Sequence, residues 1–263
     1  MIKSKIEAKF VDAVDLAAVT EHYLDLSARA AKSLVGSLVT LLDAGFRTMT
    51  NVNWGALEQV GEESPYMHQW QAVLADNIPQ VRAALTSAGP YFKNVCTKLA
   101  TELLQRYLTT ILKQRRISEP ATQQLLLDTY NLKTLLLQLH GLGLEGVAKT
   151  PTPMIYTRLV TSKVTHVETV LKLVGTPEGM LVERFRIMWP KGASEDLANI
   201  LALKGMRRAD QQRLLDEYAA ATGTAVGKVL DTGLGASVSK MTADLGKLGS
   251  LSTSMFQGTT SSS

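Results

Sequence analysis

The chain has 263 residues, 45% of them hydrophobic, so it can bury one or two substantial cores without disulfides or metals. Its 28 Lys and Arg residues against 24 Asp and Glu residues give a formal net charge of +4. These cations are spread along the chain, whereas nucleic-acid-binding proteins concentrate them, so a nucleic-acid partner is not expected. The single cysteine, Cys96, cannot form an internal disulfide and favours a reducing, cytosol-facing setting.

Neither a secretion signal nor a membrane span is predicted near the start of the chain. Charged residues alternate through the first ten positions, which therefore lack the apolar run of a signal peptide. The uncharged stretch 33–42 is about half of the roughly 20 residues that a spanning helix needs. We therefore expect no transmembrane segment.

Apolar residues recur at spacings of three and four along residues 1 to about 221, which predicts an all-α fold without strands. A helical pattern covers 14–50, as one helix or two, and is broken over 51–63. A helix restarts at Ser64-Pro65, with Pro79 expected to kink it. The next begins at Gly89-Pro90 and is closed by Arg115-Arg116.

Ser118 is predicted to cap a further helix that ends near Leu139. Four more helices are expected over 154–175, 178–189, 194–204 and 207–221, separated by glycine and proline. We divide the chain into a helical bundle (1–140), a linker (141–153), a C-terminal helical bundle (154–221) and a disordered tail rich in Gly, Ser and Thr (222–263).

Within the Ser118 helix, two apolar stripes are predicted, and the second contains Leu126, Tyr130 and Leu137. Asp128 projects among leucines, so its carboxylate is expected to be a buried structural charge that meets a cation or backbone N–H groups. If desolvation dominates, Asp128→Leu should be tolerated better than Asp128→Ala. The alternative, a catalytic acid, is disfavoured because no second titratable group lies beside it at helical spacing.

The segment 141–146 matches the G-x-G-x-x-G pattern of dinucleotide-binding proteins. It follows a predicted helix rather than a strand, and the fingerprint depends on a strand that delivers the glycines to a helix N-terminus. A flexible linker is therefore the better interpretation, and no cofactor is expected. A nucleotide-dependent enzyme that uses Asp128 and these glycines remains the least favoured function.

No catalytic or metal-binding residues are predicted. The histidines at positions 22, 68, 140 and 166 lack metal-ligand spacing and are expected at the surface or at its boundary. Serine occurs without a G-x-S-x-G elbow, and Cys96 lies on an apolar helix face where a thiol acts as a small hydrophobe. We therefore predict that the protein is not an enzyme.

The densest basic cluster of the predicted folded part lies at a helix–helix corner and contains Lys204, Arg207 and Arg208. Cations at such a corner can compensate a helix C-terminus. Alternatively they form an interaction surface for an acidic partner or an anionic membrane, where each cation contributes about 1 kcal/mol. A basic helical adaptor that binds membrane through these three residues is thus a second functional hypothesis.

Several sequence blocks, in this order, resemble the C-terminal region of the vacuolar protein sorting-associated protein 53 family. They are Asn53-Trp54, Gln59-Val60-Gly61, Ser64-Pro65-Tyr66, Glu119, Gln124-Leu125-Leu126-Leu127-Asp128-Thr129, Leu132-Lys133, Tyr156-Thr157, Val170-Leu171-Lys172, and the run from Ile200 to Gln211. The resemblance spans residues 14 to about 218. The N-terminal coiled-coil segments of that family have no counterpart here, which indicates a fragment or a shortened gene product.

The resemblance implies an elongated stack of helical bundles of the kind found in multisubunit tethering complexes. It implies a subunit of the Golgi-associated retrograde protein complex and of a related endosomal recycling complex, which tether vesicles travelling from endosomes to the trans-Golgi network. The implied partners are other subunits of the complex, with SNARE proteins, small GTPases and the vesicle membrane as further candidates. The implied location is the cytosolic face of the trans-Golgi network and endosomes, as a peripheral membrane protein.

Overall fold

A computed structural model of the chain describes residues 15–85, 89–144 and 152–223. These residues form α-helices with one short 3-10 helix and no strand, which confirms the all-α prediction. The α-helices are α1 (Ala17–Leu41), α2 (Asp43–Asn51), α3 (Pro65–Ala84), α4 (Gly89–Leu112), α5 (Glu119–Gln138), α6 (Met154–Val174), α7 (Glu178–Met188), α8 (Ser194–Leu203) and α9 (Arg208–Thr222). The predicted tail from residue 224 and the linker over 145–151 lie outside the described residues.

The first helical pattern consists of two helices that meet at Leu42, whose own side chain is fully buried. Trp70 of α3 donates its indole N–H to the Leu42 carbonyl at 3.1 Å, where the chain changes direction. Gly45, one turn later, lets the Trp70 ring approach the α2 backbone, since a Cβ at this position would collide with the indole. The hinge between α1 and α2 is therefore fixed by a contact from another helix.

Local sequence sets the start of α5 as predicted. The Ser118 hydroxyl accepts a hydrogen bond from the backbone N–H of Ala121 at 3.2 Å, and Glu119 and Pro120 occupy the first turn. Ser64 occupies the same position before α3, but its side chain makes no capping hydrogen bond. Its hydroxyl instead donates to Asp128, so this predicted cap is used for a tertiary contact.

The helices share one hydrophobic core that runs from α1 to α9. The main helix pairs are α5 with α6, α1 with α4, α2 with α3 and α8 with α9. A row of buried aromatic rings crosses the first part of the core. The distances between ring centroids are 6.4 Å from Trp54 to Tyr66, 5.0 Å from Tyr66 to Trp70 and 6.0 Å from Trp70 to Tyr107. The helices α5 and α6, which lie on either side of the predicted linker, pack against each other. The division of the chain into two bundles joined by that linker stays a prediction.

Two side chains lie elsewhere than the sequence pattern predicted. Tyr130 was placed on the second apolar stripe of α5, yet its side chain is 64% exposed, while Leu126 and Leu137 pack partly against the core. His140 was expected near the surface but is buried, in the 3-10 helix Leu139–Gly141 that ends α5. Helical projection places a residue on a face but does not tell where the neighbouring helix stops, which explains the Tyr130 error.

None of the helices in the described part of the chain combines the length and the apolarity that crossing a bilayer requires.

Candidate functional site

Asp128 lies in the middle of α5 and is completely buried. Its Oδ2 accepts hydrogen bonds from the Tyr66 hydroxyl at 2.6 Å and the Ser64 hydroxyl at 2.7 Å. Its Oδ1 accepts from the Ser64 backbone N–H at 3.1 Å and from Gln124 Nε2 at 3.3 Å. Of the two kinds of partner expected for this carboxylate, a cation or backbone N–H groups, it meets a backbone N–H together with three neutral side-chain donors.

The tyrosines around this carboxylate stay protonated. Burial raises the pKa of Tyr66 well above its usual value of 10.0, and the neighbouring Tyr107 and Asp128 raise it further. Burial also raises the pKa of Tyr107, whose hydroxyl donates to the Leu125 carbonyl at 3.3 Å. A carboxylate enclosed by protein donors cannot touch a substrate, so the geometry supports a structural role for Asp128 rather than an acid–base role.

The segment 53–64, which links α2 to α3, is attached to α5 at further points. The Gln124 side chain accepts from the Gly61 N–H at 2.8 Å and donates to the Glu62 carbonyl at 2.8 Å. Near the start of α5, Ser118 donates its hydroxyl to the Leu57 carbonyl at 2.8 Å and its N–H to the Trp54 carbonyl at 3.0 Å. Three of the blocks that carry the family resemblance, at positions 59–61, 64–66 and 124–129, thus meet in one hydrogen-bonded cluster.

The second predicted site, the corner between α8 and α9, is divided by the structure. Lys204 points inward, and its Nζ donates to the Val174 carbonyl at 2.7 Å and the Thr176 carbonyl at 2.8 Å at the end of α6. Burial lowers the pKa of Lys204, although Glu178 and Glu119 counteract this effect. The ammonium therefore compensates the C-terminus of another helix, and its assignment to an interaction surface is corrected on that ground.

Arg207 and Arg208 point outward from the same corner. The Arg207 side chain is 89% exposed and forms an ion pair with Asp210 at 3.0 Å, and Arg208 is exposed as well. Arg116, from the connection between α4 and α5, lies against this corner, since a methyl group on Gly205 would come within 2.8 Å of Arg116 Cδ. Sequence reasoning treated Arg116 only as the end of a helix, because no local pattern reveals that two corners some ninety residues apart in sequence are neighbours.

The glycine motif is described up to Leu144; positions 145 and 146 lie outside the described residues. Gly143 has a φ of +77° and packs tightly against Pro79 of α3, so it serves a turn that a side chain would strain. Arg82 donates to the carbonyls of His140 and Leu142 beside it. The described glycines follow a helix, and Gly143 packs against α3, a context unlike that of a dinucleotide fingerprint.

Three buried titratable groups lie outside these sites. Burial raises the pKa of Cys96 to about 12, which agrees with its prediction as a small hydrophobe. Burial lowers the pKa of His140 to about 4, assisted by Arg82 and Lys93. Lys163 of α6 is completely buried, and burial lowers its pKa to about 8. No cluster of three or more His, Cys, Asp or Glu side chains that could hold a metal ion occurs in the described ranges.

Residues 123–206 match the family model described as the C-terminus of vacuolar protein sorting-associated protein 53. The matched range begins at the Asp128 cluster and ends at the α8–α9 corner, so it includes parts of both sites. No solved structure matches the chain at a significant level.

Curated proteins similar to the chain carry the same name. The chain is 32% identical over 213 residues to Vacuolar protein sorting-associated protein 53 A of Arabidopsis thaliana. The aligned residues cover 81% of this chain and 25% of that protein. This chain is 29% identical over 211 residues to the Vacuolar protein sorting-associated protein 53 homolog of Caenorhabditis elegans, covering 79% of this chain and 26% of that protein. The chain thus spans about a quarter of the length of these relatives.

Proposed function

The chain belongs to the vacuolar protein sorting-associated protein 53 family through its C-terminal region, and from this premise we propose that it is a helical scaffold in a vesicle-tethering complex. The transport step we propose is retrograde, from endosomes to the Golgi apparatus. The observation that carries the proposal is the family match over residues 123–206 together with relatives that cover about four fifths of the chain.

The proposed mode of action uses the outer surface rather than an enclosed site. Asp128 is sealed among protein donors, and Lys204 is engaged by helix carbonyls. These arrangements hold helices in place, which suits a scaffold that positions other proteins. We accordingly propose a protein without catalytic activity of its own.

The proposed partners are the other subunits of the tethering complex, with SNARE proteins, small GTPases or the vesicle membrane as further contacts. The proposed location is the cytosolic face of the trans-Golgi network and of endosomes, where the protein acts as a peripheral component. This location agrees with the single cysteine, which is buried and unpaired.

A chimera tests the proposal. In cells that lack their own family member, the matched C-terminal region of a curated relative is replaced by this chain, and the secretion of a normally retained lumenal hydrolase is measured. We expect the chimera to restore retention of the hydrolase inside the cell, and we expect the relative with this region deleted not to restore it. Co-isolation of the other subunits reports whether the complex still assembles.

A chimera carrying Asp128→Leu provides the matched control, because this change disturbs the fold while leaving the exposed side chains intact. It should fail to restore retention. If the relative with the region deleted retains the hydrolase as well as the intact relative does, the region has no part in sorting and the proposal is wrong.

A further inference from the structure

Two basic segments, far apart in sequence, meet on one surface of the protein. The backbone N–H of Ile117 donates to the Leu203 carbonyl at 2.8 Å, which joins the α4–α5 connection to the end of α8. Gly205 follows with a φ of +70° and no side chain, and Arg116 occupies the space above it. The contact therefore places the guanidinium of Arg116 beside the turn that carries Arg207 and Arg208.

We define the basic corner as the exposed cations of these two segments: Lys113, Arg115, Arg116, Arg207 and Arg208. Arg207 pairs with Asp210, and the other four form no ion pair within the described part of the chain. Asp210 on Arg207, and Glu119 and Glu178 near Lys204, compensate part of the positive charge at this corner, which still has an excess of cations. Such an accumulation of like charge costs free energy in the folded protein and is relieved by an anionic partner.

The half-buried Lys204 gives this surface a fixed position. Because its ammonium is held by the carbonyls of Val174 and Thr176, the corner is fastened to the end of α6. The hydrogen bond from Ile117 fastens it to the α4–α5 connection. The backbone that carries the arginines is therefore fixed before binding. Only the arginine side chains lose conformational entropy when a partner binds.

We propose that the basic corner binds the surface of an anionic membrane through lipid phosphate and carboxylate groups. Clusters of about four to eight Lys and Arg residues are typical of surfaces that bind anionic lipid, and the two joined segments carry five exposed cations. Guanidinium groups suit this role because they donate two parallel hydrogen bonds to one phosphate or carboxylate.

A protein partner is less well supported by the composition of the surface. Protein interfaces contain an apolar or aromatic centre within a polar rim. None of the exposed large hydrophobic side chains of the described residues lies in 113–118 or 204–210. Electrostatic attraction to a lipid surface needs no such centre, so the corner matches a membrane better than a folded partner.

This inference deepens the proposed function, because it names the bilayer as what one surface of the scaffold touches. It is tested separately, with the purified chain and no other subunit. Phosphatidylcholine vesicles with and without phosphatidylserine are sedimented with the protein at low and at high salt. We expect binding only to the vesicles that contain phosphatidylserine, and its loss at high salt, since exposed charges are screened.

The decisive variant carries Arg116→Glu, Arg207→Glu and Arg208→Glu. Since each cation near anionic lipid contributes roughly a fivefold factor in affinity, we expect the loss of three to weaken binding about a hundredfold or more. The matched control reverses three exposed cations elsewhere, Lys32→Glu, Arg47→Glu and Lys93→Glu. It changes the net charge equally and should bind within about twofold of the unmodified protein.

Three outcomes would overturn the proposal: no binding of the unmodified protein to phosphatidylserine vesicles, equal weakening in both triple variants, or saturable binding to a polyglutamate peptide with no binding to vesicles. Thermal unfolding checks that the variants fold. If the Glu triple variant does not fold, the milder Arg116→Gln, Arg207→Gln and Arg208→Gln triple variant is tested in its place. In cells, the subunits should still co-isolate with the corner variant. Failure of the vesicle assay with intact sorting by the chimera would refute the membrane contact alone.

Discussion

At the scale of single residues, Asp128 shows how a buried charge is stabilised without a counter-ion. Four donors from α3, its N-cap and α5 converge on one carboxylate, two of them from Ser64. Removing the acceptor leaves the Ser64 and Tyr66 donors unsatisfied, at about 1–3 kcal/mol for each group that water cannot reach, while Gln124 still donates to the Glu62 carbonyl. The carboxylate is therefore better described as the acceptor of the cluster than as a charge that needs neutralising.

Replacements of Asp128 should rank differently from the order that the sequence suggested. Asp128→Asn keeps one acceptor oxygen, and Asp128→Ala leaves space for a water that can accept from two of the donors, whereas Asp128→Leu fills the space without an acceptor. We expect the smallest loss of unfolding free energy for Asn, a larger one for Ala, and about 3–5 kcal/mol for Leu. Urea unfolding measures the order, and a Leu variant more stable than the Ala variant would contradict it.

His140 makes stability depend on pH. It lies against Phe92 and Tyr156, with ring centroids 6.0 Å and 4.4 Å away, and its pKa of about 4 lies below the usual 6.5. As the pH falls, His140 therefore takes up a proton in the unfolded chain before it does so in the folded protein. The contribution of the neutral imidazole to the free energy of unfolding is complete above pH 6.5 and is lost towards pH 4. Relative to His140→Phe, the protein should lose about 2 kcal/mol between a pH of about 7.5 and about 5.

Urea unfolding of both proteins at the two pH values checks this expectation. The difference between them isolates His140, since the carboxylates that also titrate in this range are common to both. Parallel losses in the two proteins would show that the imidazole takes up its proton equally in the folded and unfolded states.

At the scale of helices and turns, Gly205 combines two requirements. Its φ of +70° disfavours a side chain, and its Cα faces the Arg116 side chain. Gly205→Ala should therefore cost about 1–2 kcal/mol and displace Arg116 from the corner. Thermal unfolding measures the first effect, and weaker binding to phosphatidylserine vesicles measures the second.

Gly36→Ala is the matched control, because Gly36 lies within α1 with nothing within 4 Å of a Cβ. Alanine is favoured over glycine in a helix, so this change should raise stability by up to about 1 kcal/mol. If Gly205→Ala behaved in the same way, the turn between α8 and α9 would tolerate a side chain and Arg116 would not depend on its absence.

The sequence predicted helices well and their contacts poorly, for physical reasons that particular residues illustrate. The Ser-x-Pro signal at Ser118 acts on its own first turn, so the start of α5 could be predicted. The same kind of signal at Ser64 positioned α3, but its hydroxyl bonds a residue 64 positions away, which no local rule contains. Lys204 likewise looked exposed because its acceptors, the carbonyls that end α6, are brought to it only by tertiary packing.

At the scale of the whole molecule, the continuous core from α1 to α9 leads us to expect that the described helices unfold as one cooperative unit. Trp54 and Trp70 lie in the first part and Trp189 in the second. In a Trp189→Phe variant, fluorescence reports the first part alone, while circular dichroism reports helices throughout. We expect both signals to give the same urea midpoint.

A second step in the circular dichroism signal, without a matching change in fluorescence, would show that residues 154–221 unfold separately. Far-UV spectra of the variant and the unmodified protein should coincide before denaturant is added, which controls for damage by the substitution. The outcome also decides whether a fragment lacking α6–α9 is worth studying, because α5 packs extensively on α6.

The attachment of segment 53–64 has a practical consequence. Most connections without regular structure accept insertions and vary in length between relatives. Here the backbone at Trp54, Leu57, Gly61 and Ser64 is held by α5 and its N-cap, so we expect one inserted residue to displace the later anchors. An epitope tag or fluorophore placed between α2 and α3 should destabilise the protein as a core substitution does. Labels should therefore be placed elsewhere.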